Sequence, residues 1–237
     1  MMRFNYLTGL LALLSIAIGL AACGAPELST ADMLTQTRRS MVMVRAEYRG
    51  ALTLPPIEQA APRELQALDA ATLGHGTGIF LNDGYIITTA QVVEGANGRM
   101  VNVYSDAGDT YPARIVGVSA CDNLALLRID PAAALTPARL GATQAAQTGD
   151  TATVIGYGLA MAPDDSPRAL RTTITDAGEA GTPLNLELML DTNDTSGLLL
   201  NRSGDIIGMV MTRQDATSRA ARIERVREVV EQLKQGN

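Results

Sequence analysis

The sequence predicts an all-β fold of the barrel class, on three observations. Short apolar segments recur at close spacing along most of the chain, with turn chemistry between them. Asp83-Gly84 lies between Ile79-Phe80-Leu81 and Tyr85-Ile86-Ile87-Thr88, an arrangement that favours a type I′ hairpin turn. Further on, Leu198–Leu200 and Ile206–Val210 flank Asn201-Arg202-Ser203-Gly204-Asp205, again turn residues between two apolar runs.

Taken in order, Ala31 to Arg39 predicts a short helix, and Met41 to Arg49 alternates as a first strand. Residues 52–74 carry Pro and Ala and predict a surface loop with one helical turn. Gly74-His75-Gly76-Thr77-Gly78 is glycine-rich, but no helix signal follows Gly78, which argues against a phosphate cradle. The Asp-Gly hairpin comes next, then strands over Val101–Tyr104 and Tyr111–Val118. Residues 130–150 read as an irregular Pro/Ala linker, and residues 159–184 carry little signal. Near the end, Ser218 is a candidate cap for a helix that aligns Ala220, Ile223, Val226, Val229, Val230 and Leu233 on one stripe.

Composition excludes several function classes. The 237 residues are 46% hydrophobic and 19% charged, enough apolar material for a large core and too little charge for wholesale disorder. Trp is absent and the net charge is −6, with Lys234 the only lysine, so neither base stacking nor an anionic polymer is an expected partner. No nucleic acid is expected. One histidine, His75, and two separated cysteines make no metal-ligand cluster, so no cofactor or metal is expected either.

The first 22 residues read as an export signal: Arg3 supplies the positive start, Leu7 to Leu20 the apolar run, and Leu20-Ala21-Ala22-Cys23 the small-residue end. The run is short for a membrane span. Leu-Ala-Ala-Cys resembles the bacterial lipobox, which implies cleavage before Cys23, diacylglycerol on its thiol, and a tether over residues 23–34. An ordinary secretory signal with an incidental cysteine is the alternative. With Cys23 acylated, Cys121 has no partner and reads as a small buried apolar residue; a Cys23–Cys121 disulfide is the competing reading.

Three passages carry a family resemblance: Gly74–Ala96, GHGTGIFLNDGYIITTAQVVEGA; Cys121–Ile129, CDNLALLRI; and Thr192–Val210, TNDTSGLLLNRSGDIIGMV. They resemble the trypsin-like serine peptidases, especially the bacterial HtrA-like (DegP-like) branch. The family reads Gly-x-Gly-Ser-Gly-Phe-Ile…Asp-Gly-Tyr-Ile-Leu-Thr-Asn-Ala-His-Val-Val, then Asp-Leu-Ala-Leu-Leu-Lys-Ile, then Gly-Asn/Asp-Ser-Gly-Gly-Pro-Leu. Gln91 stands in place of the catalytic histidine, Asn123 in place of the aspartate and Thr195 in place of the serine. Asp122 falls one residue too early, on the wrong side of a strand. In the oxyanion loop Asn193 takes the first Gly, Asp194 the Asn/Asp, and Ser196 the second Gly, while Gly197 is kept and Leu198 replaces the Pro.

The resemblance implies a trypsin-like double β-barrel with a C-terminal helix. Barrel one would span about residues 35–130, the linker 131–147, barrel two about 148–216 and the helix 218–235, with no PDZ-like segment expected beyond. Thr151 to Gly158 resembles the family's opening strand of barrel two. The chemistry such a site needs is missing: an amide at position 91 accepts no proton near neutral pH, and losing that base removes on the order of 10⁶ in kcat. Lys234 lies in the terminal helix, far in sequence from the loop, and His75 reads as a turn residue. The expectation is a membrane-anchored peptidase homologue outside the cytoplasm with no intact catalytic residue, acting by binding a polypeptide segment or an envelope protein. Two alternatives stand: an active endopeptidase using Thr195 with a non-standard base, and a purely structural envelope lipoprotein.

Overall fold

In the computed structural model, residues 27–47, 74–93, 100–130, 135–144, 146–157, 166–190, 196–212 and 217–236 are described. The expected export signal, Cys23 and all but Gly74 of the loop expected over 52–74 therefore lie outside the described residues. A helix, α1 (Thr30–Thr37), opens the described chain; the Ser29 hydroxyl caps it by accepting from the Asp32 N–H. Then come β1 (Met41–Glu47), β2 (Gly74–Phe80), β3 (Tyr85–Thr89), the single turn α2 (Ala90–Val93), β4 (Met100–Ser105), β5 (Thr110–Ser119) and β6 (Leu124–Ile129). These six strands close an antiparallel barrel in the order β1-β2-β3-β6-β5-β4.

The second half repeats the plan with β7 (Thr151–Gly156), β8 (Arg168–Asp176), β9 (Leu184–Met189), β10 (Gly197–Leu200), β11 (Ile206–Thr212) and β12 (Thr217–Arg222), closed as β10-β11-β12-β9-β8-β7. The helix α3 (Ile223–Lys234) follows. The fold is all-β, the trypsin-like double barrel. The Asp-Gly hairpin forms as expected: Asp83 and Gly84 have φ of 49° and 81°, the pair of positive values a type I′ turn requires.

The continuous apolar runs are explained by burial on both faces. Strand side chains alternate: Val42, Val44, Ala125 and Leu127 fill barrel one, and Val154, Leu199 and Val210 fill barrel two. Their neighbours Met41, Met43, Leu124, Leu126, Leu198 and Leu200 point outward, yet they are equally buried, because the barrels and α3 press those outer faces into a third core. Met-Val-Met-Val, Leu-Ala-Leu-Leu and Leu-Leu-Leu thus each serve two cores at once.

Two sequence expectations are corrected. The helix does not begin at Ser218: residues 217–222 are β12, paired with β11 on one side and β9 on the other, so that segment closes barrel two. Ser218 is a buried strand residue, and the helix start is served instead by Thr143 of the linker. Its Oγ1 accepts from the Ile223 N–H at 3.2 Å, while its own N–H donates to the Glu224 carboxylate at 2.7 Å. The low-signal stretch 159–184 also holds all of β8, whose exposed Arg168, Arg171, Thr175 and Asp176 hid the strand pattern.

Where the barrels meet, β7 passes so close to barrel one that Gly156 has no room for a side chain. A Cβ there would lie 2.7 Å from Thr77 Oγ1 and 2.9 Å from the Ser196 carbonyl oxygen. Gly156→Ala is expected to destabilise the protein by about 1–3 kcal/mol through this overpacking, lowering Tm by several degrees, at about 2–4 °C per kcal/mol for a chain of this size. Thermal denaturation followed by circular dichroism checks it; an unchanged Tm would mean the seam is looser than described.

Candidate active site

The site sits at one end of barrel one, where β3 hands the chain to α2. A four-residue helix cannot hold itself together, and this one is held from outside. Asn123, in the turn before β6, accepts from two successive N–H groups: its backbone carbonyl from Ala90 at 3.0 Å and its side-chain Oδ1 from Gln91 at 3.2 Å. To do so Asn123 adopts φ 51°, a left-handed conformation that Asn tolerates better than most residues. On Gln91 the bond is made by the backbone N–H, and the residue is exposed.

Asp122, the neighbouring carboxylate, is turned away from this pair. Arg225 of α3 grips it with two bonds, Nε to Oδ1 at 2.8 Å and Nη2 to Oδ2 at 3.0 Å, and the Ser119 hydroxyl donates to Oδ2 at 2.6 Å. The Arg225 guanidinium holds the Asp122 carboxyl below the usual carboxylate range, burial opposing the shift less strongly. Asp122 is a latch between the site turn and α3, not a partner for Gln91.

Thr195, with Asn193 and Asp194, lies outside the described residues. Ser196 and Gly197 are described. Ser196 is fully buried; its Oγ accepts from the Thr77 N–H at 2.6 Å and donates to the Thr77 carbonyl at 3.3 Å, while its own carbonyl accepts from Thr77 Oγ1 at 3.1 Å. That hydroxyl is committed to joining the barrels and offers no substitute nucleophile. Thr77 was not singled out from sequence, although it occupies the Ser of the Gly-x-Gly-Ser-Gly pattern, the one signal that marked it.

Tyr157 is buried, and burial pushes its phenol up to about 12, so it stays neutral at neutral pH. His75 is not a turn residue: it lies half-buried within β2, opposite Arg45 of β1. Cys121 is exposed with a free thiol, contrary to the buried residue the sequence suggested, because it occupies the turn between β5 and β6, outside both cores. Among the described residues no group of His, Cys, Asp or Glu converges on a metal position.

Two closed antiparallel barrels joined at the Thr77–Ser196 seam define the trypsin-like scaffold. Residues 76–209, more than half of the chain, match the family described as "Trypsin-like peptidase domain", and the chain belongs to that family. It is 29% identical to the magnetosome formation protease MamE of Magnetospirillum gryphiswaldense over 188 residues, 75% of this chain and 24% of that protein. Against the putative serine protease HhoA of Synechocystis it is 30% identical over 153 residues, 61% of this chain and 38% of that one. Against the periplasmic pH-dependent serine endoprotease DegQ of Escherichia coli it is 25% identical over 213 residues, 81% and 44% respectively. The chain thus spans under half the length of each of these relatives.

Asp122→Asn is expected to cost about 1 kcal/mol at neutral pH, since the pair is charge-assisted but partly solvated. Because the folded pKa is depressed, this contribution is complete above the ordinary aspartate value of about 3.9 and fades as the pH falls through the lower folded value. Urea denaturation of both proteins from pH 7 down to pH 2 should show the difference shrinking; a constant difference would point to packing, not charge. In the domain from Ala25 onward, Ellman's reagent should titrate Cys121 rapidly without denaturant, and a need for denaturant would place that thiol in the interior.

Proposed function

We propose that this chain is a lipid-anchored, extracytoplasmic member of the family whose proteolytic chemistry has been lost and which acts by binding, taking an exposed polypeptide segment or another envelope protein into the region between the barrels. The observation that carries the reading is the exposed Gln91 on α2, where the family holds its imidazole, with Asn123 spending its side-chain oxygen on the Gln91 backbone. An amide has no lone pair basic enough to take a hydroxyl proton. Lys234 lies over the Tyr85 ring, at the other end of β3 from α2, and His75 is half-buried within β2 opposite Arg45 of β1. The hydroxyl of Thr195 would have no base to activate it.

Export and anchoring rest on Leu20-Ala21-Ala22-Cys23 after the apolar run. Relatives named as periplasmic proteases support the same compartment. Among the described residues no helix is long and apolar enough to cross a membrane.

The test places the domain from Ala25 onward beside a revertant carrying Gln91→His, Asn123→Asp and Thr195→Ser, each with casein and a fluorophosphonate probe. The native sequence should neither cleave nor label, with turnover on the order of 10⁶ below an intact triad, while the revertant labels. Casein cleavage by the native sequence that disappears in Thr195→Ala would refute the loss of chemistry.

A further inference from the structure

The described chain begins stitched to one end of the molecule. The Leu28 N–H donates to the Arg202 carbonyl at 3.0 Å, and Glu27 pairs with Arg171 of β8 at 3.7 Å. The Leu28 side chain lies over Gly204, where a Cβ would come within 2.7 Å of it. The helix α1 then crosses the same end, with Gln36 and Arg39 bordering a cavity shared with Arg139 and Gly204. Leu28 thus docks on the turn at the far end of β10, not at its Gly197 end, which adjoins the candidate active loop.

Two strands set how far that docking end is from the site. Along β10, Gly197 to Leu200 spans four residues, about 13 Å at roughly 3.3 Å per residue. In barrel one, β3 runs from Tyr85, beside the 82–84 turn, to Thr89, where α2 begins: five residues, about 16 Å. Both barrels turn the same end toward α1: the Phe80 N–H donates to the Ser40 carbonyl, and the Ala138 N–H to the Phe80 carbonyl.

We infer that the end of the molecule formed by α1 and the 201–205 turn faces the membrane, and that the α2–Asn123 site points away from it. This rests on the acylation of Cys23 proposed above. Only three residues, four Cα–Cα steps, lie between Cys23 and Glu27. Fully extended they reach about 14 Å, too short to let the body turn over while Leu28 and Glu27 keep their partners. The charge pattern fits. Arg39, Arg139, Arg171 and Arg202 on this end balance Glu27, Asp32, Asp150 and Asp205, although the whole chain carries −6, so an anionic headgroup layer meets no excess of negative charge there.

The test uses the full acylated chain in phosphatidylglycerol-containing vesicles with an acceptor dye on the lipid headgroups. One sample carries a donor on the native, exposed Cys121, which marks the site end. Two others carry it at Gln36→Cys or Arg202→Cys in a Cys121→Ser background; Gln36 and Arg202 are both exposed at the docking end. Energy transfer from positions 36 and 202 should exceed that from 121 at least twofold. Equal transfer, or stronger transfer from 121, overturns the orientation while leaving the anchor intact. A chain that fails to float with the vesicles overturns both.

Discussion

Thr77 ties the two barrels to each other. Thr77 uses its N–H, its carbonyl and its hydroxyl across the seam or along it: N–H and carbonyl to the Ser196 hydroxyl, Oγ1 to the Ser196 carbonyl and from the Tyr157 N–H, with the Thr88 hydroxyl also on its carbonyl. All of this is buried, so each bond left unmade would strand a polar group at about 1–3 kcal/mol. Gly156 is a glycine because of that closeness, and the outward methionines and leucines find a core because the seam brings the other barrel against them.

The surroundings of the candidate site persist for reasons separate from proton transfer. Holding α2 in place requires only an acceptor on the residue before β6, and an amide oxygen serves as well as a carboxylate in that role. The turn itself is pinned from the other side by Asp122 and Arg225, one position removed from any catalytic duty. A domain of this family can therefore keep the shape of its site while the groups that move protons change.

The parts legible in the sequence were those where one local rule dominated. Asp-Gly between apolar runs specified its turn, and Asn201 forms the expected turn by accepting with Oδ1 from the Ser203 and Asp205 N–H groups. The 217–222 segment, Thr-Ser-Arg-Ala-Ala-Arg, has little strand propensity of its own and is a strand because two neighbours pair with it. Its Arg222 is buried, donating to the carbonyls of Thr182 and Ala177, which nothing local announces. The docking of α3 through Thr143 and Arg225 joins positions about 80 and 103 residues apart, beyond the reach of any pattern read along the chain. The family resemblance reached the double barrel where periodicity alone stopped at the class.

The span between Thr77 and Ser196, 119 positions, also orders the folding reaction. Contacts of such separation carry a large loop-closure cost and form slowly unless both partners are already fixed. Each barrel must therefore be largely built before the seam can close. Until that moment Met41, Met43, Leu198 and Leu200 are sticky outer faces on two half-finished bodies. A newly made chain has to pass through this stage, and its vulnerability to capture by chaperones or to aggregation is concentrated there.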